Sequence, residues 1–457
     1  MRHLFGTDGI RGVAGEYPLD AATVERIGLA LGWTLREEEG IDAPRVLLGK
    51  DTRESGAGLE AALARGLGSA GAAVSLAGVV STPAVAFMTV SGRFDAGVVL
   101  SASHNPYRDN GIKVFSHQGM KLPDAEELGI EKRILGEGFN PPRRAAPPPA
   151  GAEDLLEGYL GFLARSVGGG RPFAGLRVAL DCAHGATCAI APEIFARLGA
   201  ESFVMGNEPD GKNINAGCGS LHPEALAAMI RDKSADIGFA YDGDGDRVIL
   251  LDGSGRTLDG DFILYLAALD LKEAGKLAGD TVVATVMSNL WLEKALAALG
   301  ISMLRAPVGD KYVLEEMLRG GFSLGGEQSG HIIFLGDATT GDGVLTSLKI
   351  LDLLRRRRMD LSAWASTVTR CPQVLHNVRV ASKPPLESVA EIREAVERAE
   401  RDLAGAGRVL LRYSGTEPIL RVMVEGEDES RISRTASELK ELVAARLGGP
   451  GAGSSTP

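Results

Sequence analysis

The sequence predicts an α/β fold: three related α/β domains with mixed sheets, followed by a smaller C-terminal α+β domain. Three observations carry this. First, a helix–glycine–strand junction recurs. Leu198-Gly199-Ala200 precedes a strand at 202–205, Leu299-Gly300-Ile301 precedes one at 303–304, and a version surrounds Gly71-Ala-Ala-Val74. The repeats lie roughly a hundred residues apart, the scale of one α/β unit. Second, 457 residues exceed what a single core organises. Third, the texture changes from Cys371 onward, with strands at 373–380, 408–411 and 419–425 and helices near 389–404 and at 429–447.

The expected boundaries are 1–150, 151–252, 253–368 and 369–447, with a glycine- and serine-rich tail at 448–457 expected to be disordered. The proline-rich stretch 140–150 reads as a linker or surface crossing. With 44% hydrophobic and 24% charged residues the composition is that of a soluble globular protein. A net charge of -11 argues against a broad nucleic-acid surface, yet a few local cations suffice for one phosphate. Cys182, Cys188, Cys218 and Cys371 lack CxxC spacing and read as reduced structural thiols, which fits the cytoplasm. Neither a signal peptide nor an apolar run of membrane-crossing length is visible.

Taken in order, Phe5-Gly-Thr-Asp-Gly-Ile-Arg11-Gly12 is a glycine-punctuated loop carrying one arginine. A strand at 45–49 ends in Lys50-Asp-Thr-Arg53, and Leu59, Leu63 and Leu67 form one apolar helical stripe. Gly66-Leu-Gly68-Ser-Ala-Gly71 matches GxGxxG, but it closes a helix and precedes a strand. The dinucleotide fingerprint needs the reverse order, so that reading fails. The chain also lacks a P-loop.

Ala96-Gly-Val-Val-Leu100 reads as a buried strand that delivers Ser101-Ala-Ser103-His104-Asn105-Pro106 to its carboxyl end, where α/β folds gather ligands. A serine needs a neighbour that takes its proton or a cation that lowers the cost of charge. His104 follows Ser103, and Lys113 lies one short loop downstream. Read alone, the run could equally be a turn.

Asp242-Gly-Asp244-Gly-Asp246-Arg247 follows the apolar strand 237–241. Three carboxylates at alternate positions on a glycine-freed loop can converge on one hard cation. An EF-hand would need glycine and glutamate where Arg247 and Gly253 stand. An aspartyl-phosphate enzyme with Asp242 as nucleophile stays open from this loop alone.

Gly325-Gly-Glu327-Gln-Ser329-Gly-His331 suits hydrogen bonding to vicinal sugar hydroxyls or an amino group, although read alone it is more simply a polar turn, and Pro307-Val-Gly-Asp-Lys311 offers a lysine nearby. The polar turn at 337–342 has no assigned role. Arg412-Tyr-Ser414-Gly415-Thr416-Glu417-Pro418, with Arg421 beyond, combines arginine forks, hydroxyls and glycine-exposed N–H groups that would cradle a dianion.

Together these loops resemble the α-D-phosphohexomutase superfamily over nearly the whole chain. The likeness rests on 5–12, 101–106 with 109–113, 242–247, 326–331, and 414–418 with 421–426. The Glu-Gln-Ser-Gly-His form favours the glucosamine branch over the phosphomannomutase/phosphoglucomutase alternative. The resemblance implies four domains around a central cleft, Ser103 as a phosphoserine, and Mg²⁺ held by Asp242, Asp244, Asp246 and a phosphoserine oxygen. Glu327 and Ser329 would hold sugar hydroxyls, and Arg412, Ser414, Gly415, Thr416 and Arg421 the non-reacting phosphate. Arg11, His104, Lys113, Arg247 and His331 would serve proton transfer and charge stabilisation.

The implied reaction interconverts glucosamine 6-phosphate and glucosamine 1-phosphate through glucosamine 1,6-bisphosphate, with glucose 1,6-bisphosphate as an alternative activator. It would feed UDP-N-acetylglucosamine and cell-wall precursor synthesis. The implied partner is a phosphosugar, with neither nucleic acid nor membrane, and a homodimer is left open. Two departures stand out: Tyr413, where relatives often carry Lys or Pro, and Lys50, where many carry Arg. A phosphatase using Asp242 and a catalytically silent phosphosugar binder remain the readings from other classes.

Overall fold

A computed structural model describes residues 4–448 except 137, 146, 153, 415 and 416. The chain divides into two compact units, Met1–Met287 with Leu299–Ala365, and Ser288–Ala298 with Ser366–Pro457.

Three sheets belong to the first unit. The largest orders seven strands as Phe5–Gly6, Gly9–Val13, Asp109–Ser116, Ala96–Leu100, Arg45–Lys50, Ala73–Val79 and Ala150–Gly151. Ala96–Leu100, Arg45–Lys50 and Ala73–Val79 run parallel, and Asp109–Ser116 pairs antiparallel with Ala96–Leu100. Central parallel strands are covered on both faces, which is why Val46, Leu47, Leu48, Val98, Val99 and Leu100 are wholly buried. The second sheet orders Thr257–Leu258, Val248–Asp252, Ile237–Tyr241, Arg177–Asp181 and Glu201–Met205. The third orders Ser302–Ala306, Thr281–Thr285, Leu324–Gly326 and Ile332–Phe334. Each mixes parallel and antiparallel pairs, as the sequence predicts.

The GxGxxG run acquires a packing role. Helix Gly56–Ser69 lies against helix Ala21–Trp33, and a Cβ on Gly66 would stand 2.0 Å from the carbonyl oxygen of Glu25. Gly28 answers from the other side, where a Cβ would meet the carbonyl oxygen of Leu63 at 2.3 Å. These glycines let two backbones approach; they do not approach a pyrophosphate.

Lys113 lies beyond the short 101–108 loop, within strand Asp109–Ser116, opposite Val99. Strand pairing therefore fixes its position relative to the serine loop.

The second unit holds an antiparallel sheet ordered Gln373–Arg379, Ile419–Gly426 and Gly407–Tyr413, with helices Ala390–Leu403 and Glu429–Leu447. Leu420, Val422, Val424, Ile432, Ala436 and Val443 form its core. Helix Leu290–Ala298 belongs to this unit. The Leu290 N–H donates to Glu425 Oε1 at 2.7 Å, and Asn289 exchanges two hydrogen bonds with the backbone of Cys371. The last nine residues, 449–457, where the sequence predicts disorder, lie outside the described residues. Among the described residues no helix is long and apolar enough to cross a membrane.

Candidate active site

The site is assembled at the carboxyl ends of three strands. Ala96–Leu100 delivers Ser103, Ile237–Tyr241 delivers Asp242 to Arg247, and Leu324–Gly326 delivers Glu327 to His331. Strand ends suit this task because the sheet fixes the last residue while the loop beyond is free to shape itself around a ligand.

Ser103 is wholly buried, and its Oγ donates to Asp242 Oδ2 at 2.5 Å. Asp242, Asp244 and Asp246 are buried, and one carboxylate oxygen from each lies within 4.8 Å of the others. Burial, then the neighbouring Asp246 and Asp244 charges, push the Asp242 carboxyl well above its ordinary range. Asp246 goes the other way: burial opposes its charge, but Lys113 and His331 hold its carboxyl well below that range.

Lys113 is the internal counter-charge. Its Nζ donates to Asp244 Oδ2 at 2.8 Å and Asp246 Oδ2 at 3.1 Å, and it lies 3.1 Å from Asp8 Oδ2. Burial pulls its pKa down, yet these carboxylates outweigh it and raise the pKa well above the ordinary value. Thr82 adds a hydroxyl donor to Asp244 Oδ2 at 2.6 Å.

One lysine does not complete the trio. Asp244 Oδ1 and Asp246 Oδ1 are buried and, among the described residues, accept no hydrogen bond. Buried carboxylate oxygens without donors are costly, and hard oxygen donors suit a hard divalent cation. The residues fit such an ion.

Around this centre stand the other charged groups named from the sequence. His104 Nδ1 lies 3.2 Å from Ser103 Oγ and 3.2 Å from Arg247 Nη1. Burial, then Arg247 and Arg11, depress the His104 pKa to about 4, so its ring is neutral at physiological pH. Arg11 bonds Asp8 and reaches Asn105 Oδ1 at 3.4 Å. His331 Nε2 accepts the Gly341 N–H at 2.9 Å and lies 3.5 Å from Asp310 Oδ2, while its Nδ1 lies 3.7 Å from Asp246 Oδ1. Burial disfavours its charge, but those two carboxylates win and its pKa rises.

The sugar-loop residues join through the backbone. Arg247 and His331 form an isolated antiparallel bridge, and the Val248 N–H donates to Gly330 O at 3.1 Å. Glu327 is buried; its Oε1 accepts the Gly309 N–H at 3.0 Å and its Oε2 lies 3.4 Å from the hydroxyl of exposed Ser329. Ser103, His104, Arg11, Lys113, the three aspartates, Arg247 and His331 are thus one network, with Glu327 and Ser329 on the adjoining turn.

The remaining predicted residues lie in the second unit. Arg412 and Arg421 face each other across paired strands Gly407–Tyr413 and Ile419–Gly426. Like charges directly opposed in a ladder repel each other. Burial and then Arg421 lower the Arg412 pKa. Lys383 Nζ donates to Ser414 O at 2.6 Å, adding a third cation at the loop. The Tyr413 hydroxyl donates to Pro384 O at 2.8 Å, which ties this departure into the fold. Gly415 and Thr416 lie outside the described residues.

Lys50, the other departure, pairs with Glu60. Several contributors escaped the sequence reading. Asp8 sat unnamed inside the quoted Phe5–Gly12 motif, and Asp310 sat beside the noted Lys311. Asp8 and Asp310 share the half-buried Lys121, which links two strand-end loops. Thr82 and Asn215 gave no signal, because a lone Thr or Asn at a loop is ordinary.

Comparison with known proteins agrees with this arrangement. The chain matches phosphoglucomutase/phosphomannomutase alpha/beta/alpha domain I over residues 2–141, domain II over 162–255, domain III over 259–371 and the C-terminal domain over 375–442. It is 48% identical over 450 residues to the phosphoglucosamine mutase of Syntrophotalea carbinolica, covering 98% of each chain. It is 49% identical over 461 residues to that of Koribacter versatilis, again covering 98% of each. Among solved structures, a phosphoglucomutase/phosphomannomutase family protein from Burkholderia thailandensis superposes with a TM-score of 0.81 at 26% identity, covering 98% of both chains. The Aspergillus fumigatus N-acetylphosphoglucosamine mutase shares the fold at a TM-score of 0.64 and 19% identity, covering 96% of this chain and 95% of that one. The chain belongs to the phosphoglucomutase/phosphomannomutase family of α-D-phosphohexomutases and, within it, is similar to phosphoglucosamine mutases.

Proposed function

We propose that this chain interconverts glucosamine 6-phosphate and glucosamine 1-phosphate, with Ser103 carrying the phosphoryl group between turnovers. The observation that carries the reading is Ser103 Oγ at 2.5 Å from Asp242, inside a buried trio of carboxylates. Curated relatives named phosphoglucosamine mutase, 48–49% identical over 98% of the chain, support the choice of sugar.

In the forward half-reaction the free hydroxyl of the sugar attacks phosphorus on phosphorylated Ser103. The P–Oγ bond breaks as the bond to the sugar oxygen forms, a 1,6-bisphosphate results, and the proton of the sugar hydroxyl ends on Ser103 Oγ. In the second half-reaction Ser103 Oγ attacks the other phosphate, the P–O bond to the sugar breaks, and the Ser103 proton ends on the departing sugar oxygen. Asp242 Oδ2 is already in hydrogen-bond contact with Ser103 Oγ and is the acceptor placed to take the proton first. A divalent cation, Mg²⁺ in this reading, held by Asp242, Asp244, Asp246 and a phosphoserine oxygen would supply charge neutralisation for the transferring group.

The chain's own cations share the task. Lys113 and Arg247 fix the carboxylates and the His104 ring, and Arg11 stands at Asn105 of the serine loop. Glu327 and Ser329 are assigned to the sugar hydroxyls or amino group. Arg412, Ser414, Gly415, Thr416 and Arg421 are assigned to the phosphate that does not react. The stretches 1–150, 151–252, 253–368 and 369–447 are proposed as the working domains. Glucosamine 1,6-bisphosphate, or glucose 1,6-bisphosphate as primer, is the proposed activator, and the reading places the enzyme in the cytoplasm.

Ser103→Ala tests the assignment. Primed with bisphosphate and Mg²⁺, the variant should bind glucosamine 6-phosphate yet show no turnover; turnover at the unmodified rate refutes it. Hydroxylamine-resistant labelling separates phosphoserine from an aspartyl phosphate. Comparing kcat/KM for glucosamine, glucose and mannose 6-phosphates decides between this branch and the phosphomannomutase/phosphoglucomutase alternative.

A further inference from the structure

Arg53 is almost completely buried, at 3% exposure, and every one of its N–H groups is spent on one target. Its Nε donates to Asp51 Oδ2 at 2.8 Å, while Nη2 donates to Ser103 O at 3.0 Å and Asn105 O at 2.9 Å. Its Nη1 donates to Asp109 O at 2.9 Å and also to Pro106 O. A guanidinium has five N–H groups in a planar fork, and all are used within one loop and its anchor. Asp51 completes the frame by accepting the Ser101 hydroxyl at 2.6 Å, and Ser101 Oγ accepts the Ser103 N–H at 2.9 Å.

A second donor reaches the same carbonyls from the other side. Asn215 Nδ2 donates to Ser103 O at 2.9 Å and Asn105 O at 3.1 Å. Asn215 has a left-handed backbone, φ 58°, and its own N–H donates to Ala183 O, so the loop carrying it is fixed in turn.

These contacts converge on a residue that needs holding. Ser103 itself has φ 53°, in the left-handed region where a side chain other than glycine is strained, and such strain persists only where the surroundings over-determine it. The side chains of Ser103 and its loop would relax without external donors to the carbonyls on each side.

We infer that Arg53 and Asn215 are a pair of positioning residues that clamp the carbonyls of Ser103 and Asn105 and thereby aim Ser103 Oγ at its reaction partner. This rests on the proposed mutase reading for its chemical consequence. Neither residue touches the reacting atoms. Both act on the backbone of the residue that does, so their loss changes the aim of the oxygen and not the binding of the sugar.

The test compares wild type, Arg53→Lys and Asn215→Gly. Glycine keeps the left-handed backbone without strain while removing the donor, so Asn215→Gly decides the matter if Arg53→Lys does not fold. Single-turnover transfer from phosphorylated Ser103 to glucosamine 6-phosphate is measured per mole of phosphoserine, beside amide hydrogen exchange of residues 103–109. The expected result is about a 100-fold slower transfer with KM within about twofold, since a small misplacement of a reacting atom costs on that order. Exchange at Ser103, Asn105 and Asp109 should accelerate at least about tenfold. A rate per phosphoserine within about threefold of wild type overturns the inference. A wild type that transfers nothing would instead overturn the mutase reading. Exchange then decides the clamp alone: acceleration upholds it, and unchanged protection in both variants sinks it.

Discussion

The ammonium of Lys113 stands 2.8 Å from Oδ2 of Asp244, with both side chains sealed from solvent. The pair joins an inner strand of the first sheet to the loop after the central strand of the second, and Asp244 belongs to the carboxylate trio. Removing one partner of such a pair leaves an uncompensated buried charge, which typically costs about 3–5 kcal/mol. Lys113→Met should therefore lower the stability by that amount, and added MgCl₂ should recover more of it than it adds to wild type. Thermal melts with and without MgCl₂ read both effects; a variant as stable as wild type without the ion contradicts them.

Asp342 should make stability fall with rising pH over a defined window. Its buried carboxyl caps helix Gly343–Arg357 by accepting the Leu345 N–H, and it accepts the Tyr159 hydroxyl at 2.7 Å. Burial raises its pKa from 3.8 to about 6, against the pull of those hydrogen bonds. A carboxyl raised on folding favours the protonated form. Its contribution is therefore full below about 4 and lost as pH climbs through about 6, worth about 3 kcal/mol. Asp8 and Asp246, both depressed, act in the opposite direction. The measurement is thus the difference between wild type and Asp342→Asn in urea melts at pH 4 and 7, where these terms cancel. An equal change in both proteins removes Asp342 from the account.

Gly260→Ala should disturb the sugar turn without touching a polar side chain. A Cβ there would lie 2.0 Å from Glu327 O and 2.8 Å from Gly330 N. Backbone cannot yield as a flexible side chain would, and such overpacking costs about 1–3 kcal/mol. Displacing Glu327 should cut kcat/KM for glucosamine 6-phosphate about tenfold or more, at about 1.4 kcal/mol per factor of ten. Unaltered kinetics would mean that Glu327 does not meet the sugar.

Gly66→Ala sets two effects against each other. Alanine improves helix propensity by about 1 kcal/mol, but its Cβ would sit 2.0 Å from Glu25 O in the facing helix. Overpacking of about 1–3 kcal/mol matches or outweighs the gain, and the 2.0 Å approach to backbone places it at the upper end, so the variant should be less stable by up to about 2 kcal/mol. Chemical denaturation checks the sign; a stabilised variant would show that the two helices can separate at little cost.

Much of this protein is legible along the chain because the signals are local. Apolar runs ending at Leu100 and Tyr241 predict buried strands, and both are strands with every residue buried. The alternate aspartates at 242, 244 and 246 predict a shared centre because glycines between them allow the backbone to curl, and their oxygens do converge. The arginines at 412 and 421 are predicted from composition of one loop and prove to be cross-strand neighbours.

Other features depend on what the fold brings together over long separations. Arg53 reads as one more residue at a strand end until its guanidinium is seen to reach carbonyls fifty residues away. Asn215 is 112 residues from Ser103 and carries no motif, yet it shares two of those carbonyls. Likewise Asp246 is pulled down because the fold sets Lys113 and His331 beside it, whereas burial leaves Asp242 to the like charges of its own loop and pushes it up.

The order of residues by itself determined the hydrophobic periodicity, the strand ends and the identity of the reactive groups, since those depend on covalent neighbours and on side-chain type. Tertiary packing alone decided which carbonyl each donor meets, which carboxyl is paired with a buried cation and which glycine faces a backbone. Those outcomes follow from distance and burial in three dimensions, and a hydrogen bond or a Coulomb interaction has no knowledge of separation along the chain.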